Sequence, residues 1–289
     1  MINNLIYDVG MHNGDDTAYY LHLGYRVLAI EADPTLCSKA SIRFKNEIEE
    51  GRLTILNIGV ASVPGTQDFW ICDGNSVWSS FDKSIASRDG LPHHSINVEC
   101  QTFGWILENF GIPYYLKIDI EGNDYLCIEG IRNSNDLPRY VSCELGDIDK
   151  FTRALDGLGF SKYKVISQFN FLPLERLPTK EQASYAFWNQ VAAGRNLLAK
   201  ALRRGLRILG NEWRITYVRD PLRRHSEWTF PWGSSGPFGE ETPGQWHSSQ
   251  EVRYIYQSFQ KLFEKGVRTS FWNDEDYSFW VDLHACREG

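Results

Sequence analysis

The stretch Leu116-Lys117-Ile118-Asp119-Ile120-Glu121-Gly122 constrains the fold of this chain more than any other. Apolar residues alternate with Lys117, Asp119 and Glu121, and a glycine follows at once. Alternation with a period of two predicts a strand. Charged residues are poor occupants of a central strand buried on both faces, and patterning is broken most often where a site demands it. In open α/β sheets ligands bind beyond the carboxyl ends of the strands. The stretch therefore reads as the floor of a functional site.

The flanking sequence supplies the sheet. From residue 2 to about 169, strand and helix patterns alternate. A strand over 4–9 runs into a glycine loop, and a helix over 16–23 closes on Gly24. A strand over 25–31 precedes Pro34 and a helix reaching residue 49. Strands over 53–58 and 67–72 follow, then a short strand over 97–101 and a helix over 104–110. After the charged strand come a helix over 123–128 stopped by Gly130, a strand over 140–144, a helix over 147–155 and a strand over 163–169. This rhythm predicts an α/β fold, Rossmann-like, with a doubly wound and mostly parallel sheet.

Beyond about residue 170 the rhythm breaks. Residues 171–247 cluster Pro, Gly and Trp around one expected helix, 190–209; a second helix is expected over 249–265, and 279–285 alternates like a strand. The economical arrangement is a core over 1–170, an inserted substrate cap over 171–272, and a segment 273–289 that returns the last strand to the core sheet. A chain of 289 residues has room for this. Its hydrophobic and charged fractions, 42% and 23%, exclude wholesale disorder. The net charge of −7 argues against generic nucleic-acid binding. No apolar run approaches a membrane span, and no basic-then-apolar leader precedes the first strand. Six scattered cysteines without C-x-x-C spacing make the cytoplasm the expected compartment. Oligomeric state is not legible.

Asp8-Val9-Gly10-Met11-His12-Asn13-Gly14-Asp15-Asp16-Thr17 joins the first strand to the first helix. Glycines there let backbone N–H groups approach a ligand. Glu31 ends the second strand 23 residues after Asp8, near the spacing of about 20 at which an acid meets a ribose hydroxyl pair. Together they point to an adenosine-containing cofactor; a structural turn with a surface acid is the alternative. A dinucleotide needs a second glycine where His12 stands, and Asp15 and Asp16 would repel a pyrophosphate. S-adenosylmethionine carries a sulfonium, an ammonium and no phosphate, so the acidic loop suits it better than NAD.

At this point the chain resembles the FkbM-type methyltransferases. The likeness rests on Asp8-Val9-Gly10, Gly14 and Thr17, on Glu31-Ala32-Asp33-Pro34, on Val60-Ala61-Ser62 with Gly65, on Ser79-Ser80-Phe81, and on Lys117-Ile118-Asp119-Ile120-Glu121-Gly122. These motifs occur in the family's order over residues 5–145, and the last is the most specific. The resemblance implies an S-adenosylmethionine-dependent class I fold that methylates hydroxyl oxygens, often of sugars or secondary metabolites. It places Asp8, Gly10, His12, Gly14, Thr17, Glu31, Ala32, Ala61 and Asp119 at the cofactor and the charged block at methyl transfer. Many relatives read Ala-Asn where this chain has Met11-His12, and an N-terminal segment often precedes the first strand. Without it, 171–272 is the expected substrate lid.

An alkyl hydroxyl holds its proton about as tightly as water, pKa about 15.7, so a group must accept that proton or a divalent metal must acidify it. Asp119 and Glu121, two apart, would face one side of a strand, and Glu144 ends the next. All three could serve as bases or as Mg²⁺ ligands, with Asp119 the one expected at the cofactor. His12 and His284 are further candidates for the base; the His93-His94 pair is expected in a surface loop. Trp188, Trp213, Trp228, Trp232, Trp246 and Trp272 would suit a sugar ring or simply fill a cap core, and the loop 233–239 could close over substrate. Residues 195–224 carry +7, and therefore leave −14 for the remainder of a chain whose total is −7. That cluster suits a solvated helix face, an anionic nucleotide- or lipid-linked acceptor, or a membrane surface. The expectation is an O-methyltransferase for a small-molecule or glycan acceptor. The alternatives are a non-catalytic S-adenosylmethionine- or sugar-binding module and an NAD-linked oxidoreductase.

Overall fold

A computed structural model describes residues 1–176, 184, 187–188, 191–192, 197–210, 224–225, 227–264 and 279–288. The chain divides into two units, Met1–Ser161 with Ala285–Gly289, and Lys162–His284.

The first unit is built on β1 (Ile2–Val9), β2 (Arg26–Glu31) and β3 (Leu53–Asn57), which run parallel in the order β3-β2-β1. On the other side of β1 lie β7 (Pro113–Ile118) and then β8 (Tyr140–Glu144), also parallel. Val9 sits opposite both Ile30 and Ile118, and Ile118 opposite Cys143, so the strands finish level at one edge. The order reverses between β1 and β7. Right-handed crossovers leaving in opposite directions put helices on both faces and open a crevice at that point. Arg287 N donates to Arg139 O at 3.1 Å, tying the C-terminal residues to this unit.

Local chemistry sets the helices. α1 (Asp15–His22) starts from Gly14 and packs on β1 and β2. α2 (Pro34–Arg43) has Pro34 in its first turn and Asp33 as cap, accepting from Thr35 N at 2.7 Å. The single helix expected to residue 49 breaks at Phe44, whose φ of −110° separates α2 from α3 (Lys45–Glu49). That buried ring packs beneath Gly14, and the backbone bends to place it. α5 (Phe103–Phe110) is capped by Thr102, α6 spans Asp124–Ile131, and α7 (Ile148–Asp156) is capped by Asp147. Gly130 does not stop α6. It lies inside the helix, where a Cβ would come 2.7 Å from Phe103 Cβ, so it lets α5 and α6 approach closely.

A second, three-stranded sheet sits in the connection from β3 to β7. β4 (Gly59–Val60) pairs with β6 (His93–Gln101), which forms a long antiparallel ladder with β5 (Gly65–Cys72). The expected short strand over 97–101 therefore begins at His93, and the histidine pair is in a strand rather than a loop. Cross-strand partners decide this: His93 lies against Trp70, and His94 Nδ1 is 2.9 Å from Asp73. Between the two strands a short helix, α4 (Lys83–Ala86), and single turns at Ser76–Trp78 and Arg88–Gly90 form a compact insertion.

In the second unit β9 (Lys162–Ser167) is shorter than the expected 163–169, because the chain turns at 168–170. The expected helix over 190–209 appears as α8 (Leu197–Leu206) with one further turn over Arg207–Leu209; residues 193–196 lie outside the described residues. A two-residue antiparallel pair, β10 (Arg224–His225) with β11 (Trp228–Thr229), precedes α9 (Ser249–Glu264). α9 packs on β9 and buries Val252, Ile255, Tyr256 and Phe259. β12 (Val281–Cys286) is the last strand along the chain, and Gln168 N donates to Trp280 O at 3.1 Å. The loop 233–239 is no open flap. Ser234 through Gly239 are buried, and Gly236 packs on Phe171, where a Cβ would come 2.8 Å from the ring. Among the described residues no helix is long and apolar enough to cross a membrane.

Candidate active site

The charge that seemed misplaced in β7 is matched one strand away. Register sets Lys117 directly opposite Asp8 of β1. Both are buried, and Lys117 Nζ forms an ion pair with Asp8 Oδ1 at 3.1 Å. Nζ also donates to Gly10 O at 2.9 Å and lies 3.7 Å from Asp16 and 3.8 Å from Asp119. Burial alone would lower the ammonium's proton affinity, but Asp8, Asp119 and Asp16 together raise it well above the ordinary lysine value. Lys117 is thus a fixed cation that joins β1, α1 and the loop after β7. Thr17 Oγ1 donates to Asp8 Oδ2 at 2.6 Å, and both residues are fully buried. Asp8 and Thr17 thus form a buried pair behind the loop.

Gly10 (φ +84°) begins the turn, and a Cβ on it would stand 1.7 Å from Asp119 O. The backbone of the β7 loop therefore requires this glycine. Gly14 (φ +82°) closes the turn above Phe44. His12 N and Asp33 N each donate to Glu31, to Oε2 and Oε1, both at 2.8 Å. Asn57 Nδ2 holds the carbonyls of Glu31 and Ala32, both at 3.0 Å. Burial pushes the Glu31 carboxyl up to about 7, although the two N–H bonds pull the other way. The His12 ring reaches Ser76 Oγ at 2.8 Å, and burial first, then Lys117, lowers its proton affinity. His12 contributes its backbone to Glu31 and is a poorer proton acceptor than a free histidine.

The expected shared face of Asp119 and Glu121 does not form. β7 ends at Ile118, Asp119 N still donates to Val9 O at 2.9 Å, and the chain then turns so that Glu121 has φ +47°. Asp124, the first residue of α6, organises this turn: its carboxylate accepts from Ile120 N at 3.3 Å and Gly122 N at 3.2 Å. Ser80 Oγ donates to Glu121 O at 2.6 Å. Arg88 Nη1 is 3.6 Å from Glu121 Oε2. Burial, then the neighbouring Asp119, raises the Glu121 carboxyl to about 7 while Arg88 opposes the rise. Burial, then Asp119, lifts Asp124 to about 6. Asp119 itself is 38% exposed. Register places Glu144, half-buried at the end of β8, level with Asp119.

Ala61 is buried beside this loop, and Asn123 Nδ2 donates to the preceding Val60 O at 3.1 Å. Asp119, Glu121 and Glu144 are not gathered into a ligand set. Among the described residues no three His, Cys, Asp or Glu side chains converge as a metal site. His284 lies in the second unit, where burial, then Lys164, brings its imidazole down to about 3, too low for a proton acceptor. In that unit Trp232 is exposed against Phe169 and Trp280, and Trp246 bonds Glu240 and covers Lys164. Trp213, Trp272, Arg195, Arg214, Arg219 and Arg223 lie outside the described residues.

Sequence patterns missed Asp124, Ser76 and Arg88 as parts of this centre. Asp124 carried a signal, since an acid in the first turn of a helix readily accepts from nearby backbone N–H groups. Ser76 and Arg88 arrive on the β5–β6 insertion, and nothing in their local sequence marks them.

A parallel sheet whose order reverses between β1 and β7, with an acid-lined glycine turn at that point, defines a doubly wound α/β domain. Residues 8–172, more than half of the chain, match the Methyltransferase FkbM domain, and the chain belongs to that family. Among solved structures it is similar to the methyltransferase FkbM from Methylobacillus flagellatus KT, at 16% identity and a TM-score of 0.35, over 49% of this chain and 32% of that one. It is also similar to a precorrin-6y C5,15-methyltransferase from Geobacter metallireducens GS-15, at 14% identity and a TM-score of 0.30, over 57% of this chain and 65% of that one. The chain thus spans less than two thirds of either. No curated protein matches it.

Proposed function

We propose that this chain is an S-adenosylmethionine-dependent O-methyltransferase acting on a hydroxyl of a sugar or secondary-metabolite intermediate. The observation that carries the reading is Glu31: a carboxylate at the end of β2, both oxygens oriented by backbone N–H groups, beside the switch point. Each oxygen keeps a lone pair for one hydroxyl of a ribose. The surrounding donor set suits a cationic, phosphate-free cofactor, because Lys117 is already neutralised by three carboxylates and Asp119 remains exposed. When bound, S-adenosylmethionine supplies a methyl group on a sulfonium, open to in-line attack.

The residues then divide the work. Glu31 holds the ribose, the 10–14 turn lies along the cofactor, and Asp119 faces its ammonium. Glu121 accepts the acceptor hydroxyl's proton; a carboxyl near 7 is matched to that task at neutral pH. Glu144, level with Asp119 at the same edge, is the second candidate for that proton. Proton acceptance fits these side chains better than metal binding, since they do not converge.

Calorimetry with S-adenosylhomocysteine against NAD tests the cofactor. Binding of the former alone is expected, with Glu31→Ala weakening it roughly 10- to 100-fold. Binding of NAD without S-adenosylhomocysteine sinks the proposal. Labelled-methyl transfer across free, nucleotide-linked and lipid-linked glycans then identifies the acceptor, and binding without transfer to any hydroxyl would leave only a binding module.

A further inference from the structure

The second unit exposes a helix in an unusual way. At about 100° per residue, α8 and the turn after it present three faces. Ala199 is buried, and Arg203 and Leu206 are half-buried. This face meets the protein, where Arg203 Nη1 donates to Val191 O at 3.0 Å and Ala192 O at 2.8 Å. A second face carries Lys200, Arg204 and Arg207, all exposed. Turned away from the buried face stand Leu197, Leu198 and Ile208, which are 85%, 70% and 89% exposed, with Leu202, 38% exposed, at the margin of the buried face. Residues 197–210 contain no acid.

A surface helix ordinarily turns its leucines inward. Single exposed apolar residues need no explanation, but Leu197, Leu198 and Ile208 on one face next to a basic flank mark an interaction surface. We propose that α8 docks the chain on an anionic lipid bilayer. Leu197, Leu198 and Ile208 enter the boundary between headgroups and acyl chains, while Lys200, Arg204 and Arg207 meet the lipid phosphates. A specific interface with a second copy needs roughly 600 Å² of matched surface or more from each chain, whereas a bilayer requires no matching surface. The chain as a whole is at −7, so a negative membrane attracts this patch and repels the remainder, which fixes the orientation.

The test is flotation of the full chain with phosphatidylcholine vesicles, with and without phosphatidylglycerol. The chain is expected to float only with the anionic vesicles and to be released by high salt. Lys200→Gln combined with Arg204→Gln should weaken partitioning roughly 30-fold, and Leu198→Ser with Ile208→Ser at least roughly tenfold. These side chains are exposed, so both variants should keep the unsubstituted melting temperature, which separates lost docking from lost folding. The proposal is overturned if the chain stays out of anionic vesicles or if both double variants float undiminished. It also falls if sedimentation shows a dimer that the serine pair dissociates. None of these outcomes bears on methyl transfer.

Discussion

Glu121 owes its proton affinity to where the backbone puts it. A glutamate at φ +47° costs about 1–2 kcal/mol, and it is held there by Ser80 Oγ on its carbonyl and by Asp124 on the next N–H. Strain fixed by surrounding bonds is a common mark of a working residue. The carboxylate is then set between two repelling neighbours, Asp119 and Asp124, and one attracting neighbour, Arg88. If Glu121 takes the acceptor's proton it must be ionised, so kcat should rise with pH through about 7 and level off above it. Glu121→Gln should lower kcat roughly 10²- to 10⁴-fold and abolish that limb. Arg88→Gln should keep the limb and move it to higher pH, because the lost guanidinium no longer favours the ionised form. A limb that survives in the glutamine variant would assign the proton to another group.

Among the elements, the junction of β1 with β7 decides whether a site exists. Gly10 lets the turn after β1 lie against the Asp119 carbonyl, and Lys117 bonds the Gly10 carbonyl from the other side. Gly10→Ala adds both an unfavourable backbone conformation and a direct clash, and should destabilise by roughly 2–5 kcal/mol. Gly24→Ala is the control. Gly24 has nearly the same φ, +85°, but nothing within 4 Å of its missing Cβ, so it should cost about 1 kcal/mol and leave S-adenosylhomocysteine binding intact. Equal melting losses in the two variants would show that close approach is not what demands Gly10. The same junction shows what sequence conveys. Alternation located β7, and the end of the second strand was legible at Glu31. The pairing of Lys117 with Asp8 was not legible, because it depends on two strands about 100 residues apart becoming neighbours. Nor was the end of β7: Asp119 to Glu121 continue a strand pattern, but Asp124 draws the N–H groups of Ile120 and Gly122 into a turn. Tertiary bonds overrode a local period.

Over the whole molecule, buried acids couple stability to pH in a direction opposite to that of surface ion pairs. Glu31 is raised from 4.5 to about 7, Glu121 from 4.5 to about 7 and Asp124 from 3.8 to about 6, in each case chiefly by burial. A carboxyl whose folded pKa lies above its unfolded value releases its proton more readily in the unfolded chain. Its contribution is therefore fully present below about 4 and is lost as pH climbs through 6 to 7. Lys117, also raised, stays charged throughout that window and adds no slope. The melting temperature should accordingly fall between pH 5 and pH 8. For Glu31 alone the shift corresponds to about 3 kcal/mol, or roughly 6–12 °C for a cooperative unit of this size. Glu31→Gln cannot ionise, so its melting temperature should decline less over the same range. The variant should start below the unsubstituted chain at pH 5, having exchanged one acceptor for a donor that faces a backbone N–H. It should then close that gap as pH rises. Parallel melting curves would mean that Glu31 is ionised at pH 5 and that its two N–H bonds outweigh its burial.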